Sequence, residues 1–289
     1  MKVLLIGSEG QVGQELKRVL IEPLRVVGLS RQQLDLSNLD QIYPTVVEHR
    51  PDWVINAAAY TAVDQAEREP ELASQINAQA PAILAKAAAA CNAAMVHLST
   101  DYVFDGAQGR PYIETDSPCP MNCYGKSKLA GEVAVQQANP HHLIVRTAWV
   151  YGSHGKSNFV KTMLRLGAER EIIKVVSDQI GAPTWAKDIA LTVAHMINLP
   201  VSKTAGIYHY TNSGVISWYD FAIAIFAEAI HLGLLTKAPE VIPITTADYP
   251  TLARRPANSA LSCTKITELL GHYPPYWRES LRKMLSELV

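Results

Sequence analysis

The sequence has few cysteines, almost no net charge and no long apolar run. Its four cysteines form no CxxC pair, and their spacing fits neither a zinc site nor a disulfide framework. A net charge of -1 excludes a global field that would attract nucleic acid or an anionic membrane. No window approaches the roughly 18 apolar residues of a membrane helix, and the run before Gly7 is too short for a signal peptide. We therefore expect a soluble, cytoplasmic protein without nucleic-acid or membrane partners.

The sequence does contain enough apolar residues to build a large core. It is 48% hydrophobic and 18% charged over 289 residues, which is the balance of a globular protein. In roughly the first half, short apolar runs alternate with segments of helical periodicity, which predicts a Rossmann-type, doubly wound parallel sheet of the α/β class. The alternation loosens afterwards, so we expect a smaller C-terminal α/β lobe that binds substrate.

The same patterns predict domain boundaries. Residues 1–150 are assigned to a dinucleotide-binding domain, to which a strand–helix segment at about 171–198 returns. Residues 151–170 and 199–289 are expected to form the substrate-binding lobe.

Three glycines follow the first predicted strand in the stretch GSEGQVG: Gly7, Gly10 and Gly13. Glycine allows the chain to turn tightly and to approach a pyrophosphate, whose charge is then met by N–H groups at a helix N-terminus. The alternative is a tight turn with a helix packed closely on the sheet. The position between the first strand and the first helix favours dinucleotide binding.

The end of the second predicted strand indicates which dinucleotide binds. The stretch GLSRQQLD puts Ser30 and Arg31 at the strand tip, with no carboxylate before Asp35. An acidic residue there accepts from a free 2′-hydroxyl, whereas an arginine pairs with a 2′-phosphate. The pattern favours NADPH and leaves NADH open, since an ordinary exposed arginine is the alternative interpretation. After the third strand, the small residues from Ala57 to Ala59 leave room for a cofactor, and helix–sheet packing is the alternative interpretation of each alanine.

A tyrosine and a lysine stand four residues apart at the start of a predicted helix, in YGKSKLAGE. In a helix, Tyr124 and Lys128 share one face. The spacing alone is close to chance, and Glu132 competes as a surface partner for Lys128. The motif, however, follows LSTDYVFDG at the carboxyl end of a predicted strand, which is the ligand-binding edge of such a sheet.

Ketone reduction needs this set of side chains. Hydride transfer to a carbonyl leaves an alkoxide that must receive a proton, and a free tyrosine has a pKa of about 10. A lysine ammonium one turn away brings the proton affinity of Tyr124 toward working pH. The hydroxyl of Thr100 can hold the carbonyl oxygen in line.

Taken together, the glycine turn, HLSTDYVFDG and YGKSKLAGE resemble the extended short-chain dehydrogenase/reductases. The likeness runs through NAAAYTAVDQAE, RTAWVYG, DQIGAPT and RRPANS, so it covers nearly the whole chain. Within that family the chain is similar to the branch that reduces dTDP-linked 4-keto-6-deoxyhexoses. The resemblance implies NADPH-dependent reduction of dTDP-4-dehydro-6-deoxy-L-mannose to dTDP-L-rhamnose, a step of carbohydrate and O-antigen biosynthesis.

The resemblance also implies residue roles. Tyr124 would be the proton donor, Lys128 its partner and a ribose contact, and Thr100 the hydroxyl beside the carbonyl. The residues implied to touch the cofactor are Gly10, Gln11, Val12, Asp35, Leu36, Ala59, Tyr60 and Thr61. The residues implied to line the sugar site beside Thr100 are Val63, Asp101, Tyr102 and Trp149.

Neighbouring families differ at identifiable positions. Sugar-nucleotide 4,6-dehydratases carry Thr-Asp-Glu, and epimerases continue to Val-Tyr-Gly. Here Thr100-Asp101-Tyr102 is followed by the stretch VFDG. Both departures favour a reductase. The alternative for Asp101 is a turn residue that caps the strand end.

Two further sites are less defined. Arg254 and Arg255, in LARRPANS, are candidates to bind the diphosphate of the substrate, and a solvated loop is the alternative. Some relatives bind magnesium through glutamates at a dimer interface. Glu15 lies in the matching helix, but the C-terminal match is loose, so Mg²⁺ and a homodimer stay open. We expect no catalytic metal.

Two rival functions also stay open. The first is a reductase of another nucleotide 4-keto-deoxysugar. The second is a non-catalytic, NADP-binding regulatory subunit similar to the β subunits of methionine adenosyltransferase. The intact Tyr124–Lys128 pair favours an enzyme whose partner is a small nucleotide sugar.

Overall fold

A computed structural model describes the backbone of residues 1–289 and every side chain except that of Lys203. The strands are β1 Lys2–Ile6, β2 Arg25–Leu29, β3 Trp53–Asn56, β4 Ala94–Thr100, β5 His142–Thr147, β6 Val150–Tyr151, β7 Ile172–Val176, β8 Ile180–Gly181, β9 Thr184–Trp185, β10 Gly206–His209, β11 Ile216–Ser217 and β12 Glu240–Ile244. The helices are α1 Gln11–Val19, α2 Leu39–His49, α3 Val63–Ala66, α4 Pro70–Ser74, α5 Ala80–Ala90, α6 Cys123–Ala138, α7 Phe159–Glu169, α8 Ala186–Ile197, α9 Val201–Thr204, α10 Trp218–His231, α11 Thr264–Leu270 and α12 Trp277–Ser286.

Six strands form one parallel sheet in the order β10-β5-β4-β3-β1-β2. Their sequences are short apolar runs, and β3 is buried along its whole length. Runs of this kind suit a parallel sheet because helices cover both of its faces. The chain reverses direction across the sheet between β1 and β3, and ligands bind beyond the carboxyl ends of the strands at such a point. The predicted Rossmann-type, doubly wound sheet is confirmed.

Helices cover both faces of this sheet. On one face, α1 and α8 bury Leu16 and Ile189 against the strands. On the other face, α2, α5 and α6 bury Ile42, Leu84 and Val135. Each apolar cluster spans several strands, so the strand ends that carry the site are held in fixed positions. Of the helices in the described part of the chain, none is long and apolar enough to cross a membrane.

The C-terminal lobe has a core of its own. Helices α7, α10 and α12 pack there on the parallel pair β7–β12. Phe221 and Phe226 of α10 and Leu281 of α12 are buried in this core. The lobe is therefore a mixed α/β unit, as the sequence predicted.

The predicted returning segment, 171–198, divides between the two regions. Its helix α8 packs with α1 on the main sheet, but its strand β7 pairs with β12 in the lobe. The strand that extends the main sheet beside β5 is β10, which the prediction placed in the lobe. A short apolar strand carries no local mark of its partner, because packing against distant neighbours decides where it pairs.

The helical segment between β3 and β4 is interrupted near its two prolines, Pro70 and Pro81. Helix α4 begins at Pro70, and a π turn at Gln75–Gln79 precedes Pro81 near the start of α5. Proline lacks an N–H group, so it cannot continue regular helical bonding. Gly131 lets α6 cross this turn closely, since a Cβ there would lie 2.0 Å from the Asn77 carbonyl oxygen.

Candidate active site

The predicted glycines form a tight turn between β1 and α1. Gly7 has φ +78°, a left-handed value that favours glycine, and a Cβ there would lie 2.8 Å from the Ala58 nitrogen. A Cβ on Gly13 would lie 2.1 Å from the Gly7 carbonyl oxygen. Gly10 is the N-cap of α1, and the first N–H groups of a helix have no partner within it. The turn therefore packs tightly against the sheet and presents the N-terminus of α1 at its edge, an arrangement that suits the pyrophosphate of a dinucleotide.

The first two residues of α1, Gln11 and Val12, have different surroundings. Gln11 Oε1 accepts a hydrogen bond from Asn158 Nδ2 at 2.8 Å, and the same nitrogen donates to the Gly152 carbonyl oxygen at 2.9 Å. The loop between β6 and α7 therefore lies against the glycine turn. Val12 is partly buried and packs on the core of the main sheet, so its side chain serves the fold.

The tip of β2 carries an exposed cation. Arg31 is exposed, and its Nε donates to Asp35 Oδ2 at 3.4 Å. Asp35 also accepts from the backbone N–H and the hydroxyl of Ser37, which together with Arg31 hold its pKa below the ordinary value. Ser30 lies beside Arg31, while Leu36 is buried in the core below. An exposed guanidinium at this edge fits the 2′-phosphate of NADP.

The residues after β3 that were predicted to touch the cofactor lie along the same edge of the sheet: Ala57, Ala59, Tyr60 and Thr61. Asn77 fixes the backbone at Tyr60. The Tyr60 N–H donates to Asn77 Oδ1 at 2.9 Å, and the Tyr60 carbonyl accepts from Asn77 Nδ2 at 3.0 Å. The same Nδ2 donates to the hydroxyl of Ser127 at 3.0 Å. This edge is thereby joined to α6, the helix that carries the tyrosine and lysine.

Helix α6 begins beside the end of β4 for two local reasons. Asn122 is its N-cap, and its Oδ1 accepts from the Gly125 N–H at 2.8 Å. Gly125 lets the helix touch the turn after β4, since a Cβ there would lie 2.2 Å from the Tyr102 carbonyl oxygen. Tyr124 thereby meets the Tyr102 ring edge-on, with centroids 5.5 Å apart. Burial raises the pKa of Tyr124 well above its ordinary value, and the Thr100 hydroxyl counters this shift.

Lys128 is buried and has neutral contacts. Its Nζ donates to the Leu98 carbonyl oxygen at 2.7 Å and lies 3.5 Å from His97 Nε2. Glu132, the competing partner, is held instead by Arg146, whose NH2 donates to Oε2 at 2.7 Å. Burial lowers the pKa of Lys128 to about 8, and the charge of Glu132 counters this shift. A lysine in this state can exchange a proton close to neutral pH.

Thr100 ends β4, and Asp101 follows it. Thr100 Oγ1 donates to Asp101 Oδ1 at 3.0 Å and accepts from the Tyr102 N–H at 3.2 Å. Asp101 is buried, and its Oδ2 has no hydrogen-bond partner among the described residues. Burial raises the pKa of Asp101 to about 6, while the Ser259 and Thr100 hydroxyls oppose the shift. A buried oxygen in this condition is stabilised when a ligand hydroxyl donates to it.

The two predicted phosphate-binding arginines have different surroundings. Arg255 NH2 donates to Asp64 Oδ2 at 2.6 Å, and its NH1 donates to the Tyr102 hydroxyl at 2.9 Å. Arg254 is exposed, and its carbonyl oxygen accepts from Asn122 Nδ2 at 2.8 Å. Arg254 therefore offers an exposed guanidinium to a diphosphate, while Arg255 orients Tyr102.

The two remaining predicted sugar contacts lie in different packing environments. Trp149 has φ +48°, which is uncommon for a residue other than glycine. Its indole stacks on Trp218 of α10 with centroids 3.5 Å apart. Gly181 permits this position, since a Cβ there would lie 2.7 Å from the Trp149 ring. Val63, at the start of α3, packs with Tyr124. Trp149 is thus held by the lobe, and Val63 packs against the cluster that contains Tyr124 of α6.

Glu15 lies apart from these residues, on α1. It is fully buried, and neither carboxylate oxygen has a hydrogen-bond partner among the described side chains. His154 is 3.8 Å away, and Arg18, Lys187 and Glu287 line the same concavity. The concavity therefore holds two carboxylates, Glu15 and Glu287, beside the cationic side chains of Arg18 and Lys187, and Lys187 Nζ donates to Glu287 Oε1 at 2.8 Å. The described residues contain no group of three or more metal-ligating side chains.

A parallel sheet whose first turn can hold a pyrophosphate, and whose fourth strand ends beside a tyrosine–lysine pair, defines a class of protein. The class is that of Rossmann-fold, nicotinamide-dependent oxidoreductases of the short-chain dehydrogenase/reductase type. Comparison with known proteins narrows it. Residues 1–289 match the family described as RmlD substrate binding domain, and the chain belongs to this family.

Relatives resemble the chain over its full length. The dTDP-4-dehydrorhamnose reductase of Aggregatibacter actinomycetemcomitans is 46% identical over 98% of this chain and 98% of its own length. The crystal structure of a dTDP-4-dehydrorhamnose reductase from Clostridium acetobutylicum superposes with a TM-score of 0.92 at 41% identity, covering 100% of this chain and 99% of that one. The Bacillus anthracis dTDP-4-dehydrorhamnose reductase, solved in complex with NADP, has a TM-score of 0.92 at 39% identity over 99% of each chain.

Reasoning from the sequence missed three residues that hold the site together: His97, Asn56 and Asp64. A polar residue inside the apolar strand AMVHLST was the available signal for His97, because a buried polar group needs a partner. No sequence pattern indicated the contact of Asp64, because its partner Arg255 is 191 residues away in the sequence. The individual roles of the predicted site residues stay predictions.

Proposed function

We propose that this chain catalyses the NADPH-dependent reduction of the 4-keto group of dTDP-4-dehydro-6-deoxy-L-mannose, which yields dTDP-L-rhamnose. One observation carries the proposal: Tyr124 lies beside the Thr100 hydroxyl, and Lys128, one turn further along α6, donates to the Leu98 carbonyl of the same strand, at the sheet edge that also carries the glycine turn. The full-length likeness to proteins named dTDP-4-dehydrorhamnose reductase supports the choice of substrate.

The cofactor side of the site suits a phosphorylated dinucleotide. NADPH supplies the hydride when it is bound. The glycine turn at Gly7 and Gly13 would receive its pyrophosphate, and Arg31 with Ser30 would bind its 2′-phosphate. Because NADH lacks this phosphate, Arg31 would give a preference for NADPH. A relative solved in complex with NADP supports this assignment.

The catalytic side chains would handle the proton. Burial keeps Tyr124 protonated at neutral pH, so its hydroxyl is ready to donate to the oxygen that accepts charge. The ammonium of Lys128 would stabilise the resulting tyrosinate. Thr100 would donate to the sugar carbonyl and hold it in line, exchanging its present bond to Asp101 for one to the substrate.

The sugar nucleotide would be held by residues on both sides of the site. Asp101 has a buried oxygen that would accept from a sugar hydroxyl, and Tyr102 would contact the same ring. Arg254 would pair with the diphosphate, whereas Arg255 acts through Tyr102. The side chains proposed to flank the sugar are Val63 and Trp149.

We also propose that the protein works in the cytoplasm and as a homodimer. Four free cysteines among the described residues suit a reducing compartment. The dimer follows from the resemblance alone. Sedimentation equilibrium of the purified chain would measure its mass, and a single species of 31.7 kDa would contradict the dimer.

A turnover assay tests the proposed function. The purified chain would be supplied with dTDP-4-dehydro-6-deoxy-L-mannose and with NADPH or NADH in parallel. We expect cofactor oxidation with a preference for NADPH, and NMR of the product should show dTDP-L-rhamnose. Turnover only on a different nucleotide 4-ketosugar would support the rival reductase. No cofactor oxidation above background on any such sugar would contradict an enzymatic role.

A further inference from the structure

Buried polar groups link β3 to the catalytic lysine. Asn56 and His97 are register partners in the parallel pair β3–β4, and both are fully buried. Asn56 Nδ2 lies 3.1 Å from His97 Nδ1, and His97 Nε2 lies 3.5 Å from Lys128 Nζ. Polar groups in a core are costly unless donors meet acceptors, so the positions of the hydrogens along this chain are constrained.

The position of the proton on His97 follows from Asn56. Asn56 Oδ1 accepts from the Ala58 N–H at 3.2 Å, which fixes the amide with its NH2 group toward His97. An amide nitrogen is only a donor, so His97 Nδ1 must accept and the ring carries its proton on Nε2. Burial and the charge of Lys128 hold the pKa of His97 well below its ordinary value, which keeps the ring neutral.

The Nε2–H of His97 faces Lys128 Nζ. An ammonium group is only a donor and cannot accept from this N–H, whereas a neutral amine has a lone pair that can. We propose that the Asn56–His97 pair is a positioning device that stabilises the neutral amine of Lys128, so that Lys128 carries protons for Tyr124. The inference rests on the proposed function of Tyr124 and Lys128.

The proton balance is simple. Tyr124 gives its proton to the product oxygen and becomes a phenolate. Lys128 then passes one proton toward the phenolate and becomes a neutral amine. This amine accepts a hydrogen bond from the His97 Nε2–H until water returns a proton to it. No oxidant or reductant is needed for this relay, since the hydride step is complete.

No other ionisable group described near Lys128 stabilises its neutral amine as His97 does. Glu132, one turn further along α6, favours the ammonium form, but Arg146 of β5 holds its carboxylate. Tyr124, one turn earlier, is uncharged before the reaction. His97 is the ionisable side chain that reaches Lys128 Nζ from β4.

Nitrogen-15 NMR of the ligand-free protein tests the first step. With histidine labelled, we expect His97 to show a protonated Nε2 and an unprotonated Nδ1 from about pH 6 to 9. A proton on Nδ1, or an imidazolium in this range, would overturn the inference. The measurement needs no turnover, so its outcome is separate from that of the proposed function.

The substitution Asn56→Asp tests the second step. A carboxylate keeps the acceptor for Ala58 N–H but replaces the donor toward His97, which moves the ring proton to Nδ1 and turns the Nε2 lone pair toward Lys128. We expect the midpoint of the Lys128 Nζ titration to rise by about one pH unit or more. The basic limb of the kcat/KM profile should shift upward with it. An unchanged midpoint would overturn the inference, as would a rise with His97 still protonated at Nε2.

Asn139→Asp is the matched control. Asn139 is also fully buried, and its amide likewise makes one donor and one acceptor contact, to the Ala93 carbonyl and the His141 N–H. It caps the far end of α6, about 16 Å along the helix from Lys128. We expect a loss of stability in this variant and an unchanged Lys128 midpoint. An equal rise in the control would assign the effect to a buried charge and overturn the inference.

Discussion

Lys128 and Glu132 lie one helical turn apart on α6, both almost fully buried, and their electrostatic surroundings are opposite. Glu132 receives Arg146 Nε and NH2 at 3.0 and 2.7 Å, and the Ser99 hydroxyl at 2.5 Å. Lys128 has a carbonyl oxygen and a neutral histidine as neighbours. Equal burial therefore leaves one charge fully paired and the other without a counter-ion in contact.

The difference supports the proposal that Glu132 is a structural charge and that Lys128 is a functional one. A buried carboxylate with a guanidinium partner keeps its charge. Removing the partner lowers the free energy of unfolding strongly, because the charge is then buried without a counter-ion. A buried ammonium without a carboxylate contact has a lowered pKa, and for Lys128 this value is about 8. Such a group can gain and lose a proton during turnover, which a proton relay requires.

The largest expected effect is on catalysis. Lys128→Met removes the cation that is proposed to stabilise the tyrosinate but keeps a side chain of similar length in the core. We expect kcat/KM to fall by about 10²–10⁴-fold, the range of positioned proton-transfer groups. The free energy of unfolding in urea should stay equal or rise, since no charge is then buried. A variant with the wild-type rate would show that Lys128 is a structural residue.

Glu132→Gln should act on stability instead. The change leaves the Arg146 guanidinium buried without its counter-ion, and breaking such a pair costs about 3–5 kcal/mol. Urea unfolding measures the loss, and kcat per folded molecule should change by only a few-fold. A small loss of stability with a large loss of rate would reverse the assignment of the two residues.

A double variant supplies the control for Glu132. Glu132→Gln combined with Arg146→Met removes both charges, so no ion is left unpaired in the core. We expect the double variant to recover most of the stability lost in Glu132→Gln, because apolar replacement of a buried pair is often neutral. A double variant less stable than the single one would contradict this explanation.

Lys128 should also give folding a pH dependence. Its pKa is about 8 in the folded chain against an ordinary value of 10.5, so between these values the unfolded chain binds more protons. Stability should therefore rise as pH increases through this window, by about 3 kcal/mol from this residue. Urea midpoints of the wild type and Lys128→Met across the window isolate the contribution. Parallel curves for the two proteins would contradict it.

Asp101 extends the comparison to a buried acid with one unpaired oxygen. Its pKa of about 6 lies above the ordinary 3.8, so the folded chain binds more protons between these values and stability falls as pH rises through them. Asp101→Asn should therefore raise the free energy of unfolding above pH 6, by about 3 kcal/mol. Thermal melts at about pH 4 and pH 8 measure the difference. A variant less stable than wild type at the higher pH would contradict the expected cost.

Local features of this molecule were predictable because their physical requirements are local. The tight turn at Gly7 and Gly13 could be predicted from its glycines, since only glycine tolerates those contacts. Helical spacing placed Tyr124 and Lys128 on one face, and the alternation of apolar runs predicted the parallel sheet.

Partners that lie far apart in the sequence were not predictable. Spacing suggested Glu132 as the partner of Lys128, but Arg146 on a neighbouring strand takes that carboxylate. In the same way, Asp64 holds Arg255 across 191 residues of sequence. The choice of β10 over β7 as the strand beside β5 also depends on packing that no short segment records.

The most direct test of the proposed chemistry is the substitution Tyr124→Phe. The ring and its packing against Tyr102 are kept, while the hydroxyl that is proposed to donate the proton is removed. The rate of NADPH oxidation with dTDP-4-dehydro-6-deoxy-L-mannose should fall by about 10²–10⁴-fold, with NADPH affinity by fluorescence titration unchanged. A variant that oxidises NADPH at the wild-type rate would contradict the role of Tyr124 as proton donor.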